Sequence, residues 1–459
     1  MTRKDLAEEI AAYAVGLAQD DIPDHVVAVV RQRFLDSIAC AVGAYDAAPV
    51  TAAVALGRAA PVPGSTILGT RLRTTPDLAT FANGVMVRFL DYNDGYMARE
   101  PGHPSDTIPA CLAIAEARSL PGADLIAAIV VAYEVQMRLQ DAAGLNRRGW
   151  DHVNYVNVAV AAAAARLLRL DTPQATHAIG LALSGHISMR QVRSGALSDW
   201  KGASAANAAR NAVFAAQLAE QGMTGPAPVF EGEAGFFAQV SGPFDLDVSA
   251  FGGRGGDFAV TRSLTKTFPT NGELHTAVWA AIALRRSIGE IDPADGIESI
   301  LIETSEFNRR VLADPEKWRP ATRETADHSL PYNVARALLD GDIGLGSYTP
   351  DKLADPRVRE LMDSTTVEED ARLTALFPRR LANRVTVTLR SGERVAEEVV
   401  SGPGSVESPM TDADFERKLR RTAAPHLSSD AQDAVLEFIA GLEARTRYDT
   451  LFHALANRH

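Results

Sequence analysis

Residues Val156–Leu168 read VNVAVAAAAARLL, with polar side chains only at Asn157 and Arg166. Alanine has the best intrinsic helix propensity. A helix that is apolar on most faces must be surrounded by neighbours. The stretch therefore predicts a helix in the middle of a bundle and a mainly α fold around it. Outward from it, helical spacing recurs in Gly122–Leu139, Thr172–Ser184, Thr107–Arg118 and Leu78–Leu90. Asp24–Val42 places Val27, Val30, Phe34 and Ile38 on one face, with Pro23 just before it. Another long helix follows Lys201 through Ala203–Gln221 and meets Gly222, a suitable C-cap. The opening MTRKDLAEEIAAYAVGL interleaves acids with apolar residues, as an amphipathic helix does and a leader peptide does not.

The pattern changes after Leu264. Gly296–Thr304 reads as a strand. Arg384–Leu389 alternates, Ser391-Gly392 offers a turn, and Glu393–Val400 can return as the hairpin partner. From Asp412 the helical pattern resumes in Ala413–Arg421 and Ser429–Leu442. The expectation is a large all-helical domain, residues 1–262 and 410–459, with an inserted smaller α+β lid domain, residues 263–409. Two domains also suit 459 residues.

Composition narrows the function classes. A net charge of −12 argues against nucleic-acid binding, which needs clustered Lys and Arg. The longest apolar stretch, Leu125–Tyr133, is far short of the roughly 20 residues that span a bilayer, so no membrane partner is expected. Cys40 and Cys111 are the two cysteines. They form no disulfide framework, fit a cytoplasmic location, and cannot hold an iron–sulfur cluster that needs three or four thiolates. The run FGGRGGDF (Phe251–Phe258) lacks the Lys-Ser/Thr of a phosphate loop and reads as a connector.

Polar residues concentrate in four places between the apolar helices. DYNDGYMAREPGHPSD (Asp91–Asp106) carries Asp91, Asp94 and His103; histidine is the side chain best matched to proton transfer near neutral pH. NRRGWDHVNYVN (Asn146–Asn157) places His152 at the mouth of the alanine helix. Arg190, Arg193 and Lys201 lie close together in sequence, and Lys201 opens a helix whose positive end repels it, a misfit that points to function. The fourth place is split between KTFPTNGELH (Lys266–His275) and ADHSLPYNV (Ala326–Val334). For each, the alternative is a solvated turn or helix start.

These same segments resemble the MmgE/PrpD (2-methylcitrate dehydratase-like) family. DYND…GHPSD, GWDHV, MRQVR, WKG before an alanine-rich helix, TGPAPVFEGEAGFF, KTFP…H and RETADHSLPYNVA fall in the family's order over nearly the whole chain. The resemblance implies a helical domain with an inserted α+β lid, a homodimer, and no metal or other cofactor. It implies a lyase acting on a small polycarboxylate, first a 2-methylcitrate-like hydroxy acid, with epimerisation or decarboxylation of a related acid as the alternative. A non-catalytic binding protein is the remaining possibility. By motif, Asp91, His103, His152, Lys201 and Tyr332 are the expected catalytic residues. Arg190, Arg193, His275 and Lys266 are the expected substrate-binding ones. One position departs: Gly95 stands where dehydratases commonly carry threonine, which removes a hydroxyl.

Overall fold

The computed structural model describes residues 5–195, 197–289, 292 and 296–456. The first four residues of the N-terminal amphipathic segment lie outside them. The fold is mainly α, as expected. The chain divides into two compact units, one formed by Met1–Arg193, Asp199–Ser263 and Thr411–His459, the other by Ser194–Ser198 and Leu264–Met410.

In the first unit the alanine stretch is the middle of a helix, Val153–Leu167, and every one of its residues is buried. Helices Leu6–Gly16, Ile108–Ala117, Gly122–Ala142, Thr172–Gly185 and Trp200–Glu220 pack around it. Methyl-sized side chains let these helices approach closely. One close approach joins Pro76–Phe89 to Trp200–Glu220, where a Cβ placed on Gly84 would lie 2.8 Å from the Cβ of Ala206. The helix starts earlier than the apolar run suggests, so Asn154 and Tyr155 fall inside its first turn rather than before it. Tail helix Asp412–Ala423 packs on Asp24–Gly43. A short hairpin, Pro61–Thr66 with Arg73–Thr74, is an addition to the expected elements. Among the described residues no single helix is long and apolar enough to cross a membrane.

The second unit is built on a four-stranded sheet. Its order is Thr365–Glu369, Ile297–Thr304, Asn383–Leu389, Arg394–Val399. The expected hairpin is present, closed by Gly392 at φ +86°. The strand Thr365–Glu369 pairs parallel to Ile297–Thr304 and was not legible in the sequence; its side chains, TTVEE, give no apolar alternation to read. Cross-strand pairs Ile300–Val387 and Ile302–Val385 form the buried face. Helices His275–Ser287 and Leu330–Asp340 contribute Ala277, Val278, Ala281, Val334 and Leu338 to the same core.

Replacing Gly84 by valine should test the close helix approach. Overpacking of this kind costs about 1–3 kcal/mol, so a clear fall in Tm is expected, whereas an unchanged Tm would show that the two helices have room to spare.

Candidate active site

The first unit assembles the first three polar segments into one cluster. Helix Pro76–Phe89 ends with Arg88 in its last turn. Arg88 is 2% exposed, and its Nη1 lies 2.9 Å from Asp91 Oδ1. Asp91 sits at φ +50°, in the left-handed region that favours glycine. That turn aims its other oxygen at Lys201, whose Nζ is 3.3 Å away. The lysine that is misplaced against its helix dipole is thus balanced by a buried carboxylate.

The chain then closes on itself through two backbone hydrogen bonds between Tyr96 and Gly102, 2.8 and 3.0 Å. Gly102 has to be glycine here, because a Cβ would lie 2.4 Å from Gln140 Nε2 and 2.9 Å from the His152 ring. Glu100 ties this loop to the second segment by accepting from the backbone N–H groups of Leu145 and Asn146 at 2.6 and 3.0 Å. Asp94 is a structural acid: Oδ1 accepts from the Ser105 backbone and Oδ2 from the Tyr133 hydroxyl at 2.7 Å.

Hydrogen-bond chemistry sets the state of His103. Its Nε2 is 2.9 Å from Arg88 Nη2, and a guanidinium can only donate, so Nε2 accepts. Its Nδ1 is 2.6 Å from the Asp94 carbonyl, which can only accept, so Nδ1 carries the proton. His103 is therefore a neutral imidazole whose basic nitrogen faces Arg88.

His152 lies beside it, with ring centroids 5.7 Å apart in an edge arrangement. Burial pushes its pKa down to about 3, against the pull of Asp151. Asp151 Oδ1 is 3.2 Å from Nδ1, which favours the ring proton there. Nε2 of His152 is buried and has no hydrogen-bond partner among the described residues. Two neutral imidazoles thus stand side by side, one with its basic nitrogen on Arg88 and the other with its basic nitrogen unpartnered among the described residues.

Arg190 and Arg193 lie on a short 3-10 turn whose backbone is tied to Gly149 and, through Ser188, to Asp151. Arg193 Nε donates to Asp151 Oδ2 at 2.8 Å, and Arg190 Nη1 is 4.0 Å from the same oxygen. Burial works to raise the Asp151 pKa, but Arg193, His152 and Arg190 overcome it and hold the carboxylate at about 2. Arg193 Nη2 is buried and unpartnered among the described residues, so one donor remains for another anion.

Asp106 behaves oppositely. Burial raises its pKa to about 7, although Arg88 and Arg193 pull it down. Its nearest cation atom is Arg88 Nε at 3.9 Å, and Oδ1 accepts from Asn93 at 3.2 Å.

Arg88, Asp106 and Asp151 are thus members of the cluster that the sequence reading did not single out. The first had a signal, a lone arginine between Val87 and Phe89. Asp106 and Asp151 lay inside the quoted motifs but were overshadowed by the adjacent histidine-bearing positions.

The second unit joins the two halves of the fourth segment. Thr270 Oγ1 and the Asn271 N–H both donate to the Asp327 carbonyl, at 2.5 and 2.9 Å. Lys266 and His275 are buried within this unit, and the His275 ring meets Phe268 at 5.4 Å. The Tyr332 hydroxyl donates to the Ser347 carbonyl at 2.6 Å, and burial raises its pKa. Four residues before Tyr332, His328 Nδ1 lies 2.6 Å from Asp327 Oδ1.

Residues 8–249 match the MmgE/PrpD N-terminal domain and residues 268–444 the MmgE/PrpD C-terminal domain. The chain is 30% identical to 2-methylcitrate dehydratase of Cupriavidus necator over 87% of its own length and 84% of the relative's. It is 30% identical to 2-methylcitrate dehydratase of Escherichia coli (strain K12) over 74% and 73%. Similarity extends at 28% identity, over 95% and 94%, to the cis-aconitate decarboxylase-like protein oryM of Aspergillus oryzae. With both family domains matched in order across nearly all of its length, the chain belongs to the MmgE/PrpD family.

Proposed function

We propose that this protein is a hydro-lyase that dehydrates a 2-methylcitrate-like hydroxy polycarboxylate by α-proton abstraction. The observation that carries the reading is the pair of neutral histidines, His103 and His152, set among Arg88, Arg193 and Lys201. Removing a proton beside a carboxylate creates an enediolate, which needs a proton acceptor and nearby positive charge at once. The cluster offers both. A histidine Nε2 takes the α-proton, and the C–H electron pair moves into the carboxylate. That pair then returns to form the C=C bond as the C–O bond breaks, and the departing hydroxide takes the proton from the histidine and leaves as water. Lys201 and Arg88 stabilise the enediolate, while Asp91 holds the two cations in place. Arg193 binds a second carboxylate through the Nη2 that Asp151 leaves available, with Arg190 alongside it. The cations are supplied by side chains, so the scheme uses neither a metal nor another cofactor.

Lys266, His275 and Tyr332 enter as substrate-facing groups on the strength of the motif resemblance. For Tyr332 to donate to substrate, its hydroxyl must leave the Ser347 carbonyl. Localisation in the cytoplasm and homodimer formation belong to the same reading. The relative named cis-aconitate decarboxylase-like, which aligns over 95% of the chain, supports decarboxylation as the second reading. Epimerisation would follow from the same proton abstraction without loss of the hydroxyl.

Two outcomes are expected. Nuclear magnetic resonance in deuterium oxide should show α-proton exchange on the true substrate, and His103→Ala should lower turnover by at least ~10²-fold. Wild-type turnover in that variant would remove His103 from the chemistry.

Asp106 gives a stability signature. Its folded pKa of about 7 stands above the ordinary 3.8. Its neutral form is therefore accommodated at low pH, and stability is lost as pH rises from about 4 through about 7. Tm measured across pH should show Asp106→Asn gaining on the wild type between pH 4 and 8. A difference independent of pH would mean that Arg88 keeps Asp106 ionised throughout.

A further inference from the structure

The tail helix Asp412–Ala423 buries a lysine that lies in none of the family motifs. Lys418 Nζ is 2.5 Å from Asp36 Oδ1 on helix Asp24–Gly43. It donates to the Tyr92 backbone carbonyl at 2.6 Å and stands 3.7 Å from the centroid of the Tyr92 ring. Tyr92 directly follows Asp91, the residue held at φ +50°. A non-glycine residue in that conformation persists only where its surroundings over-determine it. Lys418 grips the next residue twice, by its carbonyl and by its ring. Asn93 is fixed in turn by Ser105 and Asp106 through its side-chain amide.

Packing alone does not call for this arrangement. A buried ion pair can commonly be replaced by apolar side chains of similar volume without loss of stability. A methionine between the two helices would fill the same space. What it would not do is hold the Tyr92 carbonyl.

We infer that Lys418 is a positioning residue for Asp91, and that the C-terminal segment is part of the catalytic apparatus. Lys418 holds the turn that lets one carboxylate face both Arg88 and Lys201. The inference rests on the role given above to Asp91 in holding those cations. Arg193, by contrast, is held by Asp151 at 2.8 Å, with Arg190 4.0 Å from the same oxygen. Loosening the turn therefore disturbs the chemistry more than ground-state binding.

The test uses Lys418→Met and the double variant Asp36→Asn with Lys418→Met, which leaves no buried charge behind. Both are assayed well below their Tm and examined by crystallography. The expected result is a kcat lower by ~10-fold or more, as small misplacements at reacting groups cause, with KM within ~2-fold of wild type. The crystal structures should show Asp91 relaxed to negative φ and its contact with Lys201 lost. Wild-type kcat in either folded variant, with Asp91 still left-handed, would overturn the inference. If the wild type fails to turn over any polycarboxylate, the dehydratase reading falls instead, and the conformation of Asp91 in the variants still decides the role of Lys418.

Discussion

A guanidinium that is 2% exposed must be met by acceptors on every side it presents, because an unpaired buried charge is strongly destabilising. Arg88 imposes that demand on everything around it. Asp91 meets it at 2.9 Å, His103 at 2.9 Å, and Asp106 more distantly at 3.9 Å. Each answer has a structural consequence. Asp91 has to turn into a left-handed conformation. His103 has to present a bare nitrogen and place its proton toward the Asp94 carbonyl. Asp94 in turn is held by Ser105 and Tyr133, so the demand reaches helix Gly122–Ala142.

The alanine helix makes such a cluster possible. Side chains the size of a methyl group bring neighbouring helices close and leave little room for polar atoms within the bundle. Three of the cluster's side chains accordingly stand at helix ends. His152 stands at the N-terminal boundary of Val153–Leu167, Lys201 in the first turn of Trp200–Glu220, and Arg88 in the last turn of Pro76–Phe89. Helix Trp200–Glu220 packs on both of the others, so the three ends converge, and the loop Asp91–Asp106 lies beside them. Gly102 lets that loop press against the His152 ring.

What the sequence made legible follows from the same physics. Helical periodicity and the alanine run located the bundle because burial on all faces leaves an unmistakable composition. The hairpin strands were readable for a different reason, the alternation of side chains between two unlike faces. Thr365–Glu369 was not, since an edge strand of TTVEE obeys hydrogen-bonding geometry rather than an apolar pattern. In the site, His103, His152 and Lys201 stood out as polar residues at helix mouths. Arg88 carried a signal, a charge within an apolar run, but lay outside every polar segment, and Lys418 was concealed by more than three hundred intervening residues, with Tyr92 326 positions away. A partner that far along the chain leaves no local trace.

Asp106 and Asp151 show how burial and charge together divide the labour of two carboxyls. Both are fully enclosed, and burial pushes both pKa values upward. Asp151 accepts from Arg193 at 2.8 Å, has Arg190 beside it, and receives the Val153 backbone N–H at 3.1 Å. Those contacts outweigh desolvation, and it stays ionised at about 2. Asp106 has a single amide donor and a guanidinium 3.9 Å away, and it settles near 7. The difference bears on the histidines. A permanently ionised Asp151 gives His152 a fixed acceptor for its Nδ1 proton, so the orientation of its Nε2 does not change with pH. Asp106 can gain or lose a proton near neutrality, and each change alters the charge that Arg88 must balance. When Asp106 is neutral, Arg88 is left to Asp91 and His103; when it ionises, the three compete for one guanidinium. The same arginine that fixes His103 in its basic form thus couples that form to the protonation of a second buried acid.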